Sequence, residues 1–254
     1  MGELQANGRY SFTLGEVRAL PGRSVKSIQA ALGRLKQQGR ITSPRRGFFV
    51  IVPMEYRKSG CPPASWFIDD LMRFMQQPYY VGLLSAAALH GAAHQQPMAF
   101  QVITDRPTRP ARAAGIRIEF HINRAVDLIP IVEMQTETGN MRVSAPATTA
   151  FDLVRYASTA GHLSNVATVL GELAEKLDAN ALIEVAALYS VPDAQRLGYL
   201  LEMIGHRHLD AQLWDWLSER RYRVVSLVPG APTNHEKVDR RWKVIPNADV
   251  ETDQ

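Results

Sequence analysis

Between positions 13 and 52, apolar residues recur first at helical spacing and then at strand spacing. Thr13 and Glu16 fit a capping box ahead of a short helix, LGEVRAL, which Pro21-Gly22 stops. Ser24 can cap the next helix, to about Gln38, with Gly39 as its C-terminal signal. On that helix Val25, Ile28, Leu32 and Leu35 follow one another at steps of 3, 4 and 3, a single apolar stripe. The opposite face collects Arg23, Lys26, Ser27, Ala30 and Arg34. Residues 41–42 and 48–52 read as two strands, with Ser43-Pro44-Arg45-Arg46-Gly47 as the turn between them.

Beyond residue 53 the pattern changes. MEYRKSGCPPAS, 54–65, mixes charge, Gly and Pro and reads as a linker. Ser65 can cap a helix WFIDDLMRFMQ. YYVGLLSAAALH, 79–90, reads as a strongly apolar helix ended by Gly91. Residues 100–104 and 116–122 read as strands, the second alternating Ile116, Ile118, Phe120 and Ile122 with Arg117, Glu119 and His121. DRPTRPARAAG between them is a loop. Strands at 132–136 and 141–144 flank a hairpin turn at Glu137-Thr138-Gly139-Asn140. Pro146 sits in the first turn of a helix carrying Phe151, Leu153 and Val154. From about 163 to 221 the pattern is helical, broken by Val191-Pro192-Asp193 and Gly205; the tail holds strand-like RVVSLVP and then polar residues.

Charge sharpens this division. Residues 1–58 carry 11 basic and 3 acidic residues, a net of +8, and the remainder 18 and 22, a net of −4. On that split, only the first quarter is expected to meet polyanions. No apolar run is long enough to span a membrane. The N-terminus lacks the apolar core of a secretion signal. The one cysteine, Cys61, excludes a disulfide framework and fits a reducing cytoplasm.

A helix can enter the major groove, where base edges present distinct donor and acceptor patterns. Arg23, Lys26 and Arg34 can reach guanine or phosphate, and Ser27 and Ala30 are small enough for close approach. Arg45 and Arg46 at a hairpin tip suit phosphates or a narrow minor groove. A basic stripe by itself reads as a solvated face. An apolar-backed helix after a shorter helix and before a basic hairpin reads as a winged helix-turn-helix that binds DNA.

The second region offers no comparable site. His90 and His94 have metal-ligand spacing, but Gly91 interrupts their face and no carboxylate or cysteine completes a set. His206 and His208 flank a loop. Asp69 and Asp70 are adjacent on a helix, so their side chains diverge. Glu236-Lys237-Val238-Asp239 is too short to mark a magnesium nuclease. Trp214 and Trp216 read as core or interface residues. No catalytic residue, metal or cofactor is expected.

The order of segments resembles the AbiEi family of type IV antitoxins. In the first region the resemblance rests on GRYSFTLGEVRAL, ALGRLKQQGRI and SPRRGFFVIVP; in the second, on YYVGLLSAAALHGA, TETGNMRVS…FDLVRY and AQRLGYLLE. It covers nearly the whole chain. It implies an antitoxin that counteracts a nucleotidyltransferase-like toxin without requiring a stable complex, and that represses its own operon. Its DNA-facing positions would be Arg23, Lys26, Ser27, Arg34, Arg45 and Arg46. Related sequences often carry Glu after Pro146, where this one has Ala147. Such a domain also has a helix ahead of the Thr13 cap. Here only about ten polar residues precede Ser11, so that helix is cut short or a partner supplies its cover.

The expected fold is α+β: a winged helix-turn-helix over 1–53, a linker over 54–65, and a mixed α/β antitoxin domain over 66–254 ending in helices. The expected partner is double-stranded DNA of the chain's own promoter. Helix-turn-helix proteins often read inverted repeats as two copies, although no dimer seam is visible here. Two other classes stay open: a nucleic-acid-processing enzyme whose winged helix delivers substrate, and a protein-interaction module using the 79–93 and Trp214–Trp216 segments.

Overall fold

The computed structural model describes residues 2–92, 97–233 and 237–251. The chain divides into two compact units. The first comprises 1–81, 98–127 and 132–143; the second comprises 82–97, 128–131 and 144–254.

The first unit opens with α1 (Gly2–Ala6), β1 (Ser11–Thr13), α2 (Leu14–Arg18), α3 (Val25–Gln37), β2 (Ile41–Arg45) and β3 (Phe48–Ile51). The three strands form an antiparallel sheet in the order β1-β3-β2. Both expected caps are present. Thr13 and Glu16 make a reciprocal capping box, and the Ser24 hydroxyl accepts from the Ser27 N–H at 3.1 Å. Ile28 and Leu32 of α3 are buried with Phe12, Ile41, Phe49 and Ile51, while Leu4, Tyr10, Leu14, Val17 and Leu35 close the margin. Three local differences from the sequence pattern follow. Val25, at the first turn of α3, is 52% exposed and leaves the stripe. A short helix does precede Thr13, and its Leu4 contributes cover that a count of polar residues hid. The segment 11–13, with no strand pattern of its own, is drawn into the sheet by pairing with β3.

The rest of the first unit holds α4 (Ile68–Met75), β4 (Tyr79–Val81), β5 (Phe100–Thr104), β6 (Ala111–Ala113), β7 (Ile116–Ile122), β8 (Ile131–Thr136) and β9 (Gly139–Ser144). They build a six-stranded mixed sheet, β6-β7-β5-β4-β9-β8. The YYV of 79–90 is a strand, not the start of a helix; only Leu83–Leu89 is helical, as α5. A segment buried on every side has no polar face, so periodicity could not separate strand from helix. Ser65 does not cap α4: it lies in a 3-10 turn, and Phe67 precedes the helix with no side-chain cap. Within 54–65, Cys61, Pro62 and Ala64 are buried. Burial pushes the Cys61 thiol up to about 12, so it stays a packed, protonated side chain.

The second unit is mainly helical: α5, α6 (Pro146–Arg155), α7 (His162–Ala174), α8 (Ala179–Ala186), α9 (Val191–Met203) and α10 (Arg207–Ser218), with β10 (Val225–Ser226) parallel to β11 (Val244–Ile245). Helix α6 packs against α5, α7, α8 and α9. Accordingly its Ala150, Phe151 and Leu153 are fully buried. No helix among the described residues is long and apolar enough to cross a membrane.

Candidate nucleic-acid interface

Helix α3 is anchored on one side and bare on the other. Ile28 and Leu32 hold it to the β1-β3-β2 sheet, leaving Arg23, Lys26, Ser27, Ala30 and Arg34 exposed. Lys26, Ala30 and Arg34 stand at i, i+4 and i+8, so they share one face. The helix contains no acidic residue. Lys26, Arg34 and the preceding Arg23 therefore present charge to solvent without an ion-pair partner among the described residues. Ser27 is spent differently: its hydroxyl donates to the Ser24 carbonyl at 2.8 Å, strengthening the helix start. Its contribution to the face is smallness.

The hairpin following α3 has a two-residue tip. Arg45 pairs with Phe48, and Arg46-Gly47 turns the chain, with Gly47 at φ +88°, a conformation that favours glycine. Arg46 is exposed at this tip. Arg45 takes another course, folding back over the Phe120 ring with its guanidinium 5.7 Å from the centroid. It also donates to the Arg109 carbonyl. Burial holds the Arg45 pKa below its ordinary value, and the nearby charge of Arg109 depresses it further. The two arginines that sequence placed together at the tip thus differ in environment, one exposed and one docked. Sequence reading passed over Arg106 and Arg109, which line an open groove of about 350 Å³ with Arg45, Gln77 and Thr108. The signal available was the doubled Arg-Pro of DRPTRPAR.

Most of the other residues singled out by spacing make contacts within the fold. The His90 ring donates from Nε2 to the Ser144 carbonyl at 2.7 Å, and the Lys176 ammonium donates to the His90 carbonyl. His94 and Glu236 lie outside the described residues. Asp69 and Asp70 both pair with Arg73; Asp69 accepts from the Tyr79 hydroxyl at 3.0 Å and Asp70 from the Ser11 hydroxyl at 2.5 Å. His206 and His208 are edge to face at 6.2 Å. Trp214 stands edge-on to Trp242 at 5.7 Å, and Arg220 lies over Trp216 at 3.7 Å. Among the described residues no cluster of His, Cys, Asp or Glu could hold a metal ion.

Residues 80–203, from β4 to the end of α9, match the family model described as the AbiEi antitoxin C-terminal domain. That match identifies 80–203 as an AbiEi antitoxin C-terminal domain. The family is in general non-enzymatic, and its members act opposite a toxin. Among solved structures, the crystal structure of the RV2827C protein from Mycobacterium tuberculosis is similar with a TM-score of 0.69 and 15% identity, over 96% of this chain and 88% of that one. At that identity the likeness is one of fold, a mixed α/β architecture. Comparison with curated proteins gives no match.

Proposed function

We propose that this AbiEi protein is the antitoxin of a type IV pair, counteracting a nucleotidyltransferase-like toxin without a required stable complex. It also represses its own operon by binding double-stranded DNA in the cytoplasm. Residues 1–53 act as a winged helix-turn-helix, joined through 54–65 to the antitoxic 66–254.

The observation that carries the DNA reading is α3: one face packed by Ile28 and Leu32, the other acid-free, exposed and bearing Arg23, Lys26 and Arg34. The order α1, β1, α2, α3, β2, β3 with sheet order β1-β3-β2 supports assigning α3 to the major groove and the Arg46 tip to the flanking backbone. The family match supports the antitoxic part.

The test is binding of the full chain to a labelled duplex from upstream of its own reading frame, against a scrambled duplex, across a salt series. Affinity should fall steeply with salt, because phosphate contacts release counterions. Lys26→Ala or Arg34→Ala should relax the preference for the cognate duplex by about 1–3 kcal/mol. Arg46→Ala should weaken both duplexes alike. Equal affinity of the native chain for both duplexes would overturn sequence-specific repression. Growth rescue on co-expression with the neighbouring toxin gene tests the antitoxic role independently.

A further inference from the structure

The loop after β5, residues 105–110, brings two arginines from outside the first quarter of the chain to the hairpin tip. It is a stiff loop. Pro107 and Pro110 fix their own φ angles. The Arg106 guanidinium donates to the Gln76 carbonyl at 2.8 Å, the Gln77 amide donates to the Thr108 hydroxyl at 2.9 Å, and Arg45 donates to the Arg109 carbonyl. The groove of about 350 Å³ is bounded by these same groups.

Its charge is one-sided. Arg45, Arg106 and Arg109 line it, and Arg46 is the next residue along the hairpin. No acidic residue lines the groove among the described residues; Asp105 forms a long ion pair with Arg106, at 3.9 Å. The Arg109 side chain has no partner among the described residues. Arg45 is half-buried, and its Nε, shielded from solvent, meets no acceptor among the described residues. Gathering like charges, one of them shielded from water, costs free energy that a bound anion would offset. Guanidinium forks match the spread charge of a phosphate oxygen pair. An open, shallow groove beside a hairpin tip suits a phosphodiester chain running past it better than an enclosed small molecule.

We infer that this groove seats a backbone phosphate of the same duplex that α3 reads, so that Arg106 and Arg109 extend the DNA footprint beyond residue 53. The inference rests on the DNA-binding reading above. The β1-β3-β2 sheet that backs α3 also carries the hairpin tip, which fixes the spacing between groove contact and base reading. The contact carries no sequence information, since phosphates are alike along the duplex.

The test compares Arg109→Gln, and then Arg106→Gln with Arg109→Gln, against the native full chain, on cognate and scrambled duplexes over a salt series. Arg109→Gln removes a side chain with no partner among the described residues, so it stands even if the double variant is less stable; thermal midpoints of both are recorded. Each lost phosphate contact should make the slope of log K against log salt shallower by about 1. Affinity for both duplexes should fall together, by several-fold for the single variant and about tenfold for the double, with cognate preference unchanged. Unchanged affinity and slope in both variants, while Arg34→Ala still relaxes specificity, would overturn the groove assignment and leave the DNA reading intact. A native chain with no salt-dependent DNA binding would overturn both. A third arm titrates inorganic pyrophosphate and ATP without DNA. Loss of their binding in Arg109→Gln with DNA binding untouched would overturn the proposal in favour of a small phosphorylated ligand.

Discussion

Gly198 of α9 lies directly against the indole of Trp242, close enough that any Cβ at 198 would overlap the six-membered ring. Trp242 is fully buried, and its Nε1 donates to Glu202 one turn further along α9, at 2.5 Å. The ring is thus fixed by a hydrogen bond and by a helix with no side chain beneath it. Gly198→Ala should destabilise the chain by about 1–3 kcal/mol, the usual cost of overpacking a close-packed site. Denaturant unfolding followed by tryptophan fluorescence checks this. A Gly198→Ala chain as stable as the native one, or more so from improved helix propensity, would show that the tail is not clamped as described.

Beside Trp242, Arg241 pairs with Asp210 of α10 at 2.7 Å and with Glu202 at 3.1 Å, while lying over the Trp214 and Trp242 rings. The Asp210 side chain is only 2% exposed. Arg241→Met would leave a buried carboxylate without its cation, at a cost of about 3–5 kcal/mol. Asp210→Asn in the same chain should recover part of that loss, because it removes the unpaired charge. Equilibrium unfolding of the two single variants and the double variant gives the coupling. Additive effects would mean that the pair is solvated in practice.

These tail contacts are among the features the sequence left illegible. The caps at Thr13 and Ser24, the stripe at Ile28 and Leu32 and the strand at 116–122 were legible because each is a local pattern. Tyr79–Val81 was not, because its pairing with β5 and β9 buries all three residues. Ala111–Ala113 became strand through pairing with Ile116–Ile118, where small residues carried no signal of their own. In the candidate site, the face of α3 could be read from spacing. The departure of Arg45 from the hairpin tip depends on Phe120 and Arg109, more than sixty residues away in sequence, and so could not. Likewise the charge split between the two parts of the chain said nothing of Arg106 and Arg109, whose local basicity is diluted by the acidic remainder.

Two histidines should set a pH dependence near neutrality. His90 is buried, which pushes its pKa below the ordinary value; the Ser144 carbonyl opposes this and the Lys176 charge adds to it. His121 is pushed the same way by burial, opposed by Glu119. Below about pH 6.5 the unfolded histidines take up protons that the folded ones do not. Stability should therefore hold from pH 8 to 7 and fall as pH drops from about 6.5 toward 5.5. His90→Gln, which keeps an amide donor for Ser144, should flatten that fall, and His121→Gln should flatten it further. Unfolding free energies measured at half-unit pH steps decide the matter. The same slope in native and doubly substituted chains would place the acid sensitivity elsewhere.

Ser24 links the stability of α3 to its proposed role in DNA binding. Its hydroxyl accepts from the Ser27 N–H, and its carbonyl accepts from the Ser27 hydroxyl. Ser24→Ala should cost about 1 kcal/mol through loss of the cap. On the proposed DNA reading, affinity for the duplex should drop with it, since the first turn carries Lys26 and Ser27. Ser24→Asp separates the two effects: aspartate caps as well as serine and is favoured by the helix dipole, so stability should be kept or raised. If α3 enters the groove, that carboxylate faces phosphates and DNA affinity should fall below that of Ser24→Ala. Thermal unfolding and duplex titration of the two variants check both halves. Unimpaired DNA binding by a stable Ser24→Asp chain would mean that the start of α3 stands away from the DNA backbone.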